Sequence, residues 1–209
     1  MTPDHAVEAE ALARGARWVA GVDEAGRGPL AGPVTAAAVI LDPANIPPGL
    51  NDSKQLTAKR REALALWLME HCDWSVAHVD VAQIDALNIL RASHVAMCRA
   101  LDGLSQRPCH VLVDGNMLPR DLDLPATAVI KGDARCLTIA AASVLAKVLR
   151  DRIMVDLAQQ YPGYGWEANA GYPTPAHKRA LLDLGVTPYH RRSFAPVHNI
   201  LCKAQLISG

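Results

Sequence analysis

The chain has 209 residues, and its 21 Lys and Arg side chains balance its 21 Asp and Glu side chains, so the formal net charge is zero. Half of the residues are hydrophobic and a fifth are charged, which excludes a disordered, collagen-like or disulfide-stapled chain. The length suits one domain with a small appendage. Because only 4% of the residues are aromatic, we expect a core built mainly from Ala, Leu, Val and Ile.

The sequence gives no indication of membrane insertion, secretion or metal-binding cysteines. The longest uncharged run, residues 28–41, is shorter than the roughly 20 apolar residues of a transmembrane helix. The N-terminus carries acidic residues where a secretion signal has basic ones. The five cysteines form no Cys-x-x-Cys pair and are odd in number, which favours reduced thiols. We therefore predict a cytoplasmic protein that does not associate with membranes.

Helical and strand patterns alternate along the chain, as expected for an α/β protein. In chain order, the predicted elements are a helix at 6–14, strands at 18–23 and 33–41, a helix at 58–71, a strand at 74–81, a helix at 84–104, strands at 109–113 and 126–130, and helices at 137–158 and 177–184. The turn at residues 26–29 predicts that the first two strands form a hairpin. Beyond residue 161 the chain is rich in proline, which indicates a more irregular structure.

Three of the predicted strands end on acidic residues: Asp23 and Glu24 end the first, Asp114 follows the fourth and Asp133 follows the fifth. Ligand sites of α/β sheets assemble at strand ends. Four carboxylates gathered there would repel one another without a cation, and oxygen-only ligands favour Mg²⁺ or Mn²⁺. Such clusters serve phosphate chemistry with two ions about 3.5–4 Å apart. Taken singly, Asp114 and Asp133 also suit ordinary turns, and the Asp23–Glu24 pair also suits an exposed strand edge.

Two weaker patterns leave more than one interpretation open. The segment Gly26-Arg27-Gly28 suits a simple hairpin connection, but glycines there also allow a nucleic-acid backbone to approach. Residues 1–146 carry 13 basic and 17 acidic side chains, whereas residues 147–209 carry 8 and 4. This asymmetry suits an acidic site beside a basic groove, and it also suits ordinary surface scatter.

Residues 21–34, with the sequence GVDEAGRGPLAGPV, closely resemble the opening motif of bacterial ribonuclease HII, the type 2 ribonuclease H family. The likeness continues in order over residues 17–197. Its further motifs are Asp52-Ser53-Lys54, Asn88-Ile89-Leu90, Asp114-Gly115-Asn116, Lys131-Gly132-Asp133, AAASVLAK at 140–147, GYPT at 171–174 and HRRSF at 190–194.

The resemblance implies a ribonuclease H-like fold, in which a mixed central sheet is flanked by helices and followed by a helical C-terminal extension. On this basis we divide the chain into a helical lead-in at 1–16, a catalytic domain at 17–160 and an extension at 161–209 that packs on the domain and contacts the duplex. Residues 1–16 and 199–209 lie outside the matching motifs.

The resemblance also implies roles for individual residues. Asp23, Glu24, Asp114 and Asp133 match the catalytic, metal-binding carboxylates, with Mg²⁺ or Mn²⁺ as the cofactor. Gly26, Arg27 and Gly28 match the segment that recognises the ribonucleotide 2′-hydroxyl, and Tyr172 matches the tyrosine that stacks on the sugar beyond the cleaved junction. Lys54, Lys147, Arg191 and Arg192 are candidate phosphate contacts. Ala170 stands where many relatives carry lysine, which removes one further phosphate contact.

The implied activity is that of an endonuclease that hydrolyses the RNA strand of RNA–DNA hybrids by two-metal-ion catalysis. It would also incise DNA 5′ of an embedded ribonucleotide, leave 3′-hydroxyl and 5′-phosphate ends, and act in ribonucleotide removal from DNA. Its partners would be RNA–DNA hybrids and DNA duplexes that contain ribonucleotides. We expect a monomer, and the sequence does not indicate contact with a replication clamp.

Two other functions are consistent with parts of the sequence. A junction resolvase or a ribonuclease HIII-like enzyme would share the acidic residues but would not need Gly26-Arg27-Gly28 or Tyr172. A non-catalytic hybrid-binding protein would be favoured if one acidic residue were missing, and all four are present. Dinucleotide binding is excluded because residue 31, where the third glycine of Gly-x-Gly-x-x-Gly would fall, is Ala.

Overall fold

The computed structural model describes the backbone of residues 2–208 and the side chains of residues 2–202. Its helices and strands are α1 (Ala6–Ala13), β1 (Val19–Ala25), β2 (Val34–Ile40), α2 (Ala58–His71), β3 (Asp73–Val79), α3 (Val81–Leu87), α4 (Ile89–Asp102), β4 (His110–Asp114), β5 (Ala126–Val129), α5 (Leu137–Gln160), α6 (Trp166–Asn169), α7 (Pro175–Leu184) and α8 (Ala195–Ser208). Two short 3₁₀ turns lie at Ser53–Gln55 and Gly132–Ala134. Among the described residues, no helix combines the length and apolar character needed to span a membrane.

The five strands form one mixed sheet in the order β3-β2-β1-β4-β5. Strands β1 and β2 are antiparallel, as are β2 and β3, which confirms the predicted hairpin. Strands β1, β4 and β5 run parallel to one another, so their carboxyl ends meet at the same edge of the sheet. The predicted mixed sheet flanked by helices is therefore confirmed.

The central strand β1 is covered by helices on both faces. Ala20 and Val22 pack into the apolar cluster that contains α4, whereas Gly21 faces the start of α5. A Cβ atom added at Gly21 would lie 2.3 Å from the backbone carbonyl carbon of Thr138. Only glycine allows α5 to approach β1 this closely, and this approach brings the α5 backbone against the strand that carries Asp23.

The predicted helix at 84–104 is wrong in one respect, because the structure divides it into α3 and α4 at Asn88. This residue has a left-handed φ of 69°, and its side-chain oxygen accepts a hydrogen bond of 3.1 Å from the amide of Arg91. Asn is favoured both as a helix N-cap and in the left-handed region, so Asn88 ends one helix and begins the next. The periodicity of apolar residues continues across the break and therefore conceals it.

The C-terminal part of the chain is helical, whereas proline content alone predicted an irregular segment. Helices α6 and α7 pack against the second half of α5 through a cluster around Trp166, which is fully buried together with Met154. The prolines do not prevent helices because Pro175 is the first residue of α7, where its missing amide hydrogen is not needed.

Candidate active site

Three acidic side chains meet at the carboxyl edge of the parallel strands. Asp23 lies near the end of β1, Asp114 ends β4, and Asp133 lies in the turn that follows β5. One carboxylate oxygen of each lies within 4.8 Å of the others. These three residues are called the carboxylate cluster below. The strand-end prediction is refined in two details, because β1 continues to Ala25 and Asp133 lies beyond the end of β5.

Backbone amides hold the cluster in place. Asp114 Oδ1 accepts a hydrogen bond of 2.7 Å from the amide of Gly132 and a longer one of 3.4 Å from the amide of Asp133. Asp23 Oδ1 accepts a hydrogen bond of 2.7 Å from the amide of Glu24. The Oδ2 atoms of Asp23 and Asp114 take no part in these hydrogen bonds, so both side chains are oriented and still able to coordinate a cation.

Glu24 is not a member of the carboxylate cluster. Consecutive residues of a strand point to opposite faces of the sheet, so Glu24 lies on the face of α4 while Asp23 lies on the face of α5. Glu24 Oε1 accepts a hydrogen bond of 3.2 Å from Arg27 Nη1. Glu24, Arg27 and Asp114 line a groove of about 160 Å³ beside α4. Three of the four predicted carboxylates therefore form one cluster. The fourth, Glu24, lies on the other face of β1 and close to Asp114.

The carboxylate cluster places negative charges in a buried, poorly solvated environment. Burial raises the pKa of Asp23 well above its usual value, and the neighbouring Glu24 and Asp114 raise it further. Burial, followed by repulsion from Asp133, also raises the pKa of Asp114. Lys54 Nζ lies 3.0 Å from Asp133 Oδ2 and offsets part of this charge. A buried set of oxygen ligands under mutual repulsion fits a hard divalent cation such as Mg²⁺ or Mn²⁺.

These pKa shifts predict how the stability of the metal-free protein depends on pH. Because the pKa of Asp23 is raised on folding, the folded protein binds more protons than the unfolded chain above about pH 4, the usual pKa of the side chain. Its contribution to the free energy of unfolding therefore falls as pH rises from about 4 through the raised pKa. We expect Asp23→Asn to remove this contribution, measured in EDTA as a higher Tm for the variant than for the unaltered protein at pH 7.5.

With metal bound at pH 7.5, the unaltered protein should be more stable than Asp23→Asn, the reverse of the order expected in EDTA. Mn²⁺ that binds the cluster should, at about a hundred times its Kd, stabilise the folded protein by about 3 kcal/mol, and Asp23→Asn should abolish most of this gain. The exposed Asp183 provides the matched control, since Asp183→Asn should keep both the pH dependence and the metal response. A metal-free Asp23→Asn protein that is less stable than the unaltered protein at pH 7.5 would contradict the proposed repulsion.

Residues 26–33, called the recognition loop below, join β1 to β2 beside the cluster. Gly26 and Gly32 have left-handed φ angles of 95° and 82°. A Cβ atom at Gly26 would lie 2.0 Å from Nε of Arg150, so this position excludes any side chain. Gly28 is exposed, and a Cβ atom built on it would lie 3.4 Å from Cε1 of Tyr172. The predicted 2′-hydroxyl segment and the predicted stacking tyrosine are therefore neighbours.

Arg191 does not contact phosphate, so the prediction for this residue is wrong. Its exposure is 0%, and its guanidinium donates hydrogen bonds of 2.6–3.1 Å to four backbone carbonyls of the recognition loop. The acceptors are Gly26, Arg27, Gly32 and Pro33. Arg191 therefore shapes the loop from inside the protein. Arginine suits this position because its five donors have a fixed planar geometry.

The other predicted basic residues lie at the surface. Lys54 is exposed and contacts Asp133, as described above. Lys147 forms an ion pair of 2.8 Å with Asp151, and its ammonium lies 5.9 Å from the centre of the Tyr172 ring. The side chain of Arg192 is exposed, while its backbone amide donates to Asp85. The phosphate contacts of these three residues remain predictions.

Sequence reasoning missed Arg150, a second buried arginine that supports the recognition loop. Arg150 is 1% exposed and donates hydrogen bonds to the carbonyls of Ala31, Pro33 and Ala170. The spacing of Arg150 along the helix indicates its burial, because it lies four residues after Ala146 and four before Met154, on the buried face of α5. A charged residue on a buried helical face requires partners, and here backbone carbonyls provide them.

The mixed sheet with a carboxylate cluster at the ends of its parallel strands is the arrangement expected of a ribonuclease H-like, metal-dependent nuclease. The model of the family Ribonuclease HII matches residues 20–197, and the chain belongs to this family. It is therefore a type 2 ribonuclease H, an endonuclease that acts on RNA-containing nucleic acid.

Relatives of known name support this membership over the full chain. Ribonuclease HII of Paracoccus denitrificans is 78% identical over 203 residues, which cover 97% of each chain. Ribonuclease HII of a Ruegeria species is 63% identical, with 95% of this chain and 87% of that relative covered.

Solved structures agree with the fold. Ribonuclease H2 of Pyrococcus horikoshii superposes with a TM-score of 0.79 at 31% identity and covers 90% of this chain and 99% of its own. The ribonuclease HII of Archaeoglobus fulgidus, solved in complex with PCNA, gives a TM-score of 0.68 at 27% identity, with 83% and 93% covered. A ribonuclease HIII solved with Mn²⁺ gives 0.73 at 20% identity, with 90% and 70% covered, and shows the shared fold.

Proposed function

We propose that the protein hydrolyses the RNA strand of RNA–DNA hybrids and incises DNA 5′ of a single embedded ribonucleotide, with two divalent ions as cofactors. The observation that carries this proposal is that the recognition loop, which begins three residues after Asp23 of the carboxylate cluster, lies beside Tyr172. Glu24 precedes the loop and pairs with Arg27, while Gly28 lies against the tyrosine ring. Hydrolytic chemistry and recognition of the ribose can therefore act on adjacent sugars of one strand.

The cluster residues would hold the metal, with Glu24 as a fourth carboxylate across β1. Divalent ions bound at such a site supply an activated water and stabilise the leaving 3′-oxygen, which yields 3′-hydroxyl and 5′-phosphate ends. The chain itself orients Asp23 and Asp114 through backbone amides and holds Asp133 with Lys54. No protein side chain is assigned as a general base.

Recognition of the ribonucleotide would depend on backbone groups of the recognition loop. The 2′-hydroxyl is both a donor and an acceptor, and it distinguishes ribose from deoxyribose at any base sequence. Gly28 carries no side chain and lies against the exposed ring of Tyr172, so a sugar that contacts the ring can also reach the loop backbone beside it. Lys54, Lys147 and Arg192 would contact flanking phosphates, which predicts affinity that weakens as salt concentration rises.

In the cell, this activity would serve the removal of ribonucleotides from DNA. We propose that the protein acts in the cytoplasm as a monomer, with the nucleic-acid duplex as its main partner. The lead-in at 1–16 and the extension at 161–209 would support the catalytic domain at 17–160. This assignment is consistent with α1, whose Glu8 side chain accepts hydrogen bonds of 2.9 Å from Thr138 at the start of α5.

A substrate panel tests the proposed specificity. The purified protein is incubated with an end-labelled DNA duplex that contains one ribonucleotide, beside all-DNA and long-hybrid controls, with Mg²⁺, Mn²⁺ or EDTA. A single metal-dependent cut 5′ of the ribonucleotide supports the proposal. Cleavage of long hybrids alone would indicate ribonuclease HIII-like specificity, and binding without cleavage by folded protein would indicate a non-catalytic binding protein.

Tyr172 provides a sharper test of junction recognition. Tyr172→Ala should lose about tenfold more activity on a single embedded ribonucleotide than on a long hybrid, because base- or sugar-stacking on an aromatic ring contributes about 1–3 kcal/mol. Tyr172→Phe keeps the ring and serves as the matched control. The comparison is kcat/KM on the two substrates, and equal losses of Tyr172→Ala on both would contradict the assigned role.

A further inference from the structure

Two buried histidines lie behind Tyr172 and take no part in the carboxylate cluster. His177 belongs to the first half of α7, and His190 directly precedes Arg191. Both side chains are 0% exposed. Buried imidazoles require hydrogen-bond partners, and the partners of these two determine where their protons lie.

The proton of His190 is fixed by a backbone donor. The amide of Thr187 donates a hydrogen bond of 3.0 Å to His190 Nδ1, so this nitrogen presents its lone pair, and the Thr187 hydroxyl, 2.9 Å from the same nitrogen, is then a second donor. In a neutral ring the proton is then on Nε2. That nitrogen lies 3.2 Å from Nε2 of His177, to which it donates.

The proton of His177 is fixed by a backbone acceptor. His177 Nδ1 lies 2.9 Å from the carbonyl oxygen of Tyr172, which can only accept, so the ring donates from Nδ1. Its Nε2 therefore presents a lone pair, which is shared by His190 and by the indole N–H of Trp166 at 3.0 Å. The hydrogen bonds from Thr187 through His190 and His177 to Tyr172 therefore point in one direction, and the indole of Trp166 donates to His177 from the side.

The surroundings favour the neutral rings that this arrangement requires. Burial, and then the neighbouring His177, lower the pKa of His190 to about 4. Burial also lowers the pKa of His177. These shifts favour the neutral rings that the hydrogen-bond geometry requires, and in that state Tyr172 receives the terminal hydrogen bond.

The relay ends at a segment that also contacts the recognition loop. The carbonyl of Gly171 accepts a hydrogen bond of 2.8 Å from the amide of Leu30, and a Cβ atom at Gly171 would lie 2.6 Å from the carbonyl oxygen of Ala31. A shift of the Tyr172 backbone therefore changes the distance between its ring and Gly28. Gly171 therefore couples the extension to the loop beside Tyr172, in addition to the contacts that Arg191 makes with the loop.

We propose that His177 and His190 are positioning residues for substrate selectivity: they hold the Tyr172 backbone through a one-way hydrogen-bond relay that sets the ring against Gly28. This inference rests on the proposed function of Tyr172 as the residue that senses the ribonucleotide junction. Neither histidine touches the substrate, and both act through the tyrosine.

Variants of His177 test the relay by the ratio of two activities. His177→Leu removes the side-chain donor to the Tyr172 carbonyl and leaves the amide of Thr174, at 2.8 Å, as its donor. This variant should lower kcat/KM on a single embedded ribonucleotide about tenfold relative to a long hybrid, since small displacements of a positioning group are costly. His177→Asn places an amide nitrogen on the same carbon as Nδ1, so it should restore the ratio. Leu181→Ala, a buried change in the same helix that leaves the relay intact, is the matched control for lost stability and should keep the ratio.

A double-mutant cycle separates this inference from the proposed function. If His177 acts through the tyrosine, His177→Leu should lower the ratio no further in a Tyr172→Ala background. Additive losses, or a failure of His177→Asn to restore the ratio, would overturn the relay. If Tyr172→Ala alone has no selective effect, the proposed role of the tyrosine fails first and the relay loses its function with it.

Imidazole ¹⁵N NMR of the full-length protein gives a readout that does not depend on activity. We expect His177 protonated at Nδ1 and His190 protonated at Nε2 at pH 7. The opposite tautomer at either residue, or a charged ring, would refute the relay.

Discussion

Asp133→Asn is expected to lower cleavage of every substrate on the order of 10³-fold while leaving the fold and duplex binding intact. The carboxylate of Asp133 lies within 4.8 Å of those of Asp23 and Asp114, and it is the member of the cluster that contacts Lys54. An amide keeps the shape of the side chain but loses the charge that holds a divalent ion, and such an ion contributes several kcal/mol to stabilisation of the transition state. Single-turnover cleavage measures the loss, and a binding titration with labelled duplex in Ca²⁺ or EDTA measures retention of affinity.

The control for Asp133→Asn is Asp183→Asn, which makes the same chemical change at an exposed residue of α7. It should keep full activity. Cleavage by Asp133→Asn within a few-fold of the unaltered protein would remove Asp133 from the set of metal ligands. A loss that is matched by unfolding in circular dichroism would show that the residue is needed for the fold instead.

Arg191→Met should destabilise the protein by at least about 3 kcal/mol and strongly reduce activity. The guanidinium of Arg191 is fully buried and is a donor to four carbonyls of the recognition loop. Each buried acceptor that loses its partner costs about 1–3 kcal/mol, although water entering the cavity would recover part of this. Urea unfolding measures the free energy, and the substrate panel measures selectivity.

Arg192→Met is the matched control because it makes the same substitution one residue further along, where the side chain is exposed. It should leave the unfolding free energy within about 0.5 kcal/mol of the original, since surface substitutions have small effects. It should also weaken the salt dependence of duplex binding if Arg192 contacts a phosphate. Equal destabilisation by the two substitutions would refute the assigned difference between the buried and the surface arginine.

The cluster could be predicted from sequence because its signals are local. An apolar run followed by Asp marks the end of a strand, and the parallel order of β1, β4 and β5 then brings Asp23, Asp114 and Asp133 together. The position of Glu24 could also be predicted, because consecutive strand residues point to opposite faces of the sheet and β1 extends to Ala25. The family motif groups the four acidic residues without regard to face.

The burial of Arg191 was beyond prediction because its environment is created by distant segments. Arg191 and Arg192 are adjacent and chemically identical, yet one is 0% exposed and the other lies at the surface. Only the packing of the C-terminal segment against the recognition loop distinguishes them. Asn88 is a similar case, because a helix break was hidden within continuous apolar periodicity.

The long-range hydrogen bonds of Arg191 mean that the C-terminal segment cannot be removed without changing the recognition loop. The carbonyl of Gly32 and its donor Arg191 are separated by 159 positions in the chain. A shortened protein that ended after α5 would keep every carboxylate of the cluster but would lack the guanidinium that shapes the recognition loop. The proposed sugar discrimination would therefore depend on both ends of the chain, the recognition loop near the N-terminus and Arg191 near the C-terminus. We expect that neither the motif at 21–34 alone nor the C-terminal helices alone would transfer this selectivity to another protein.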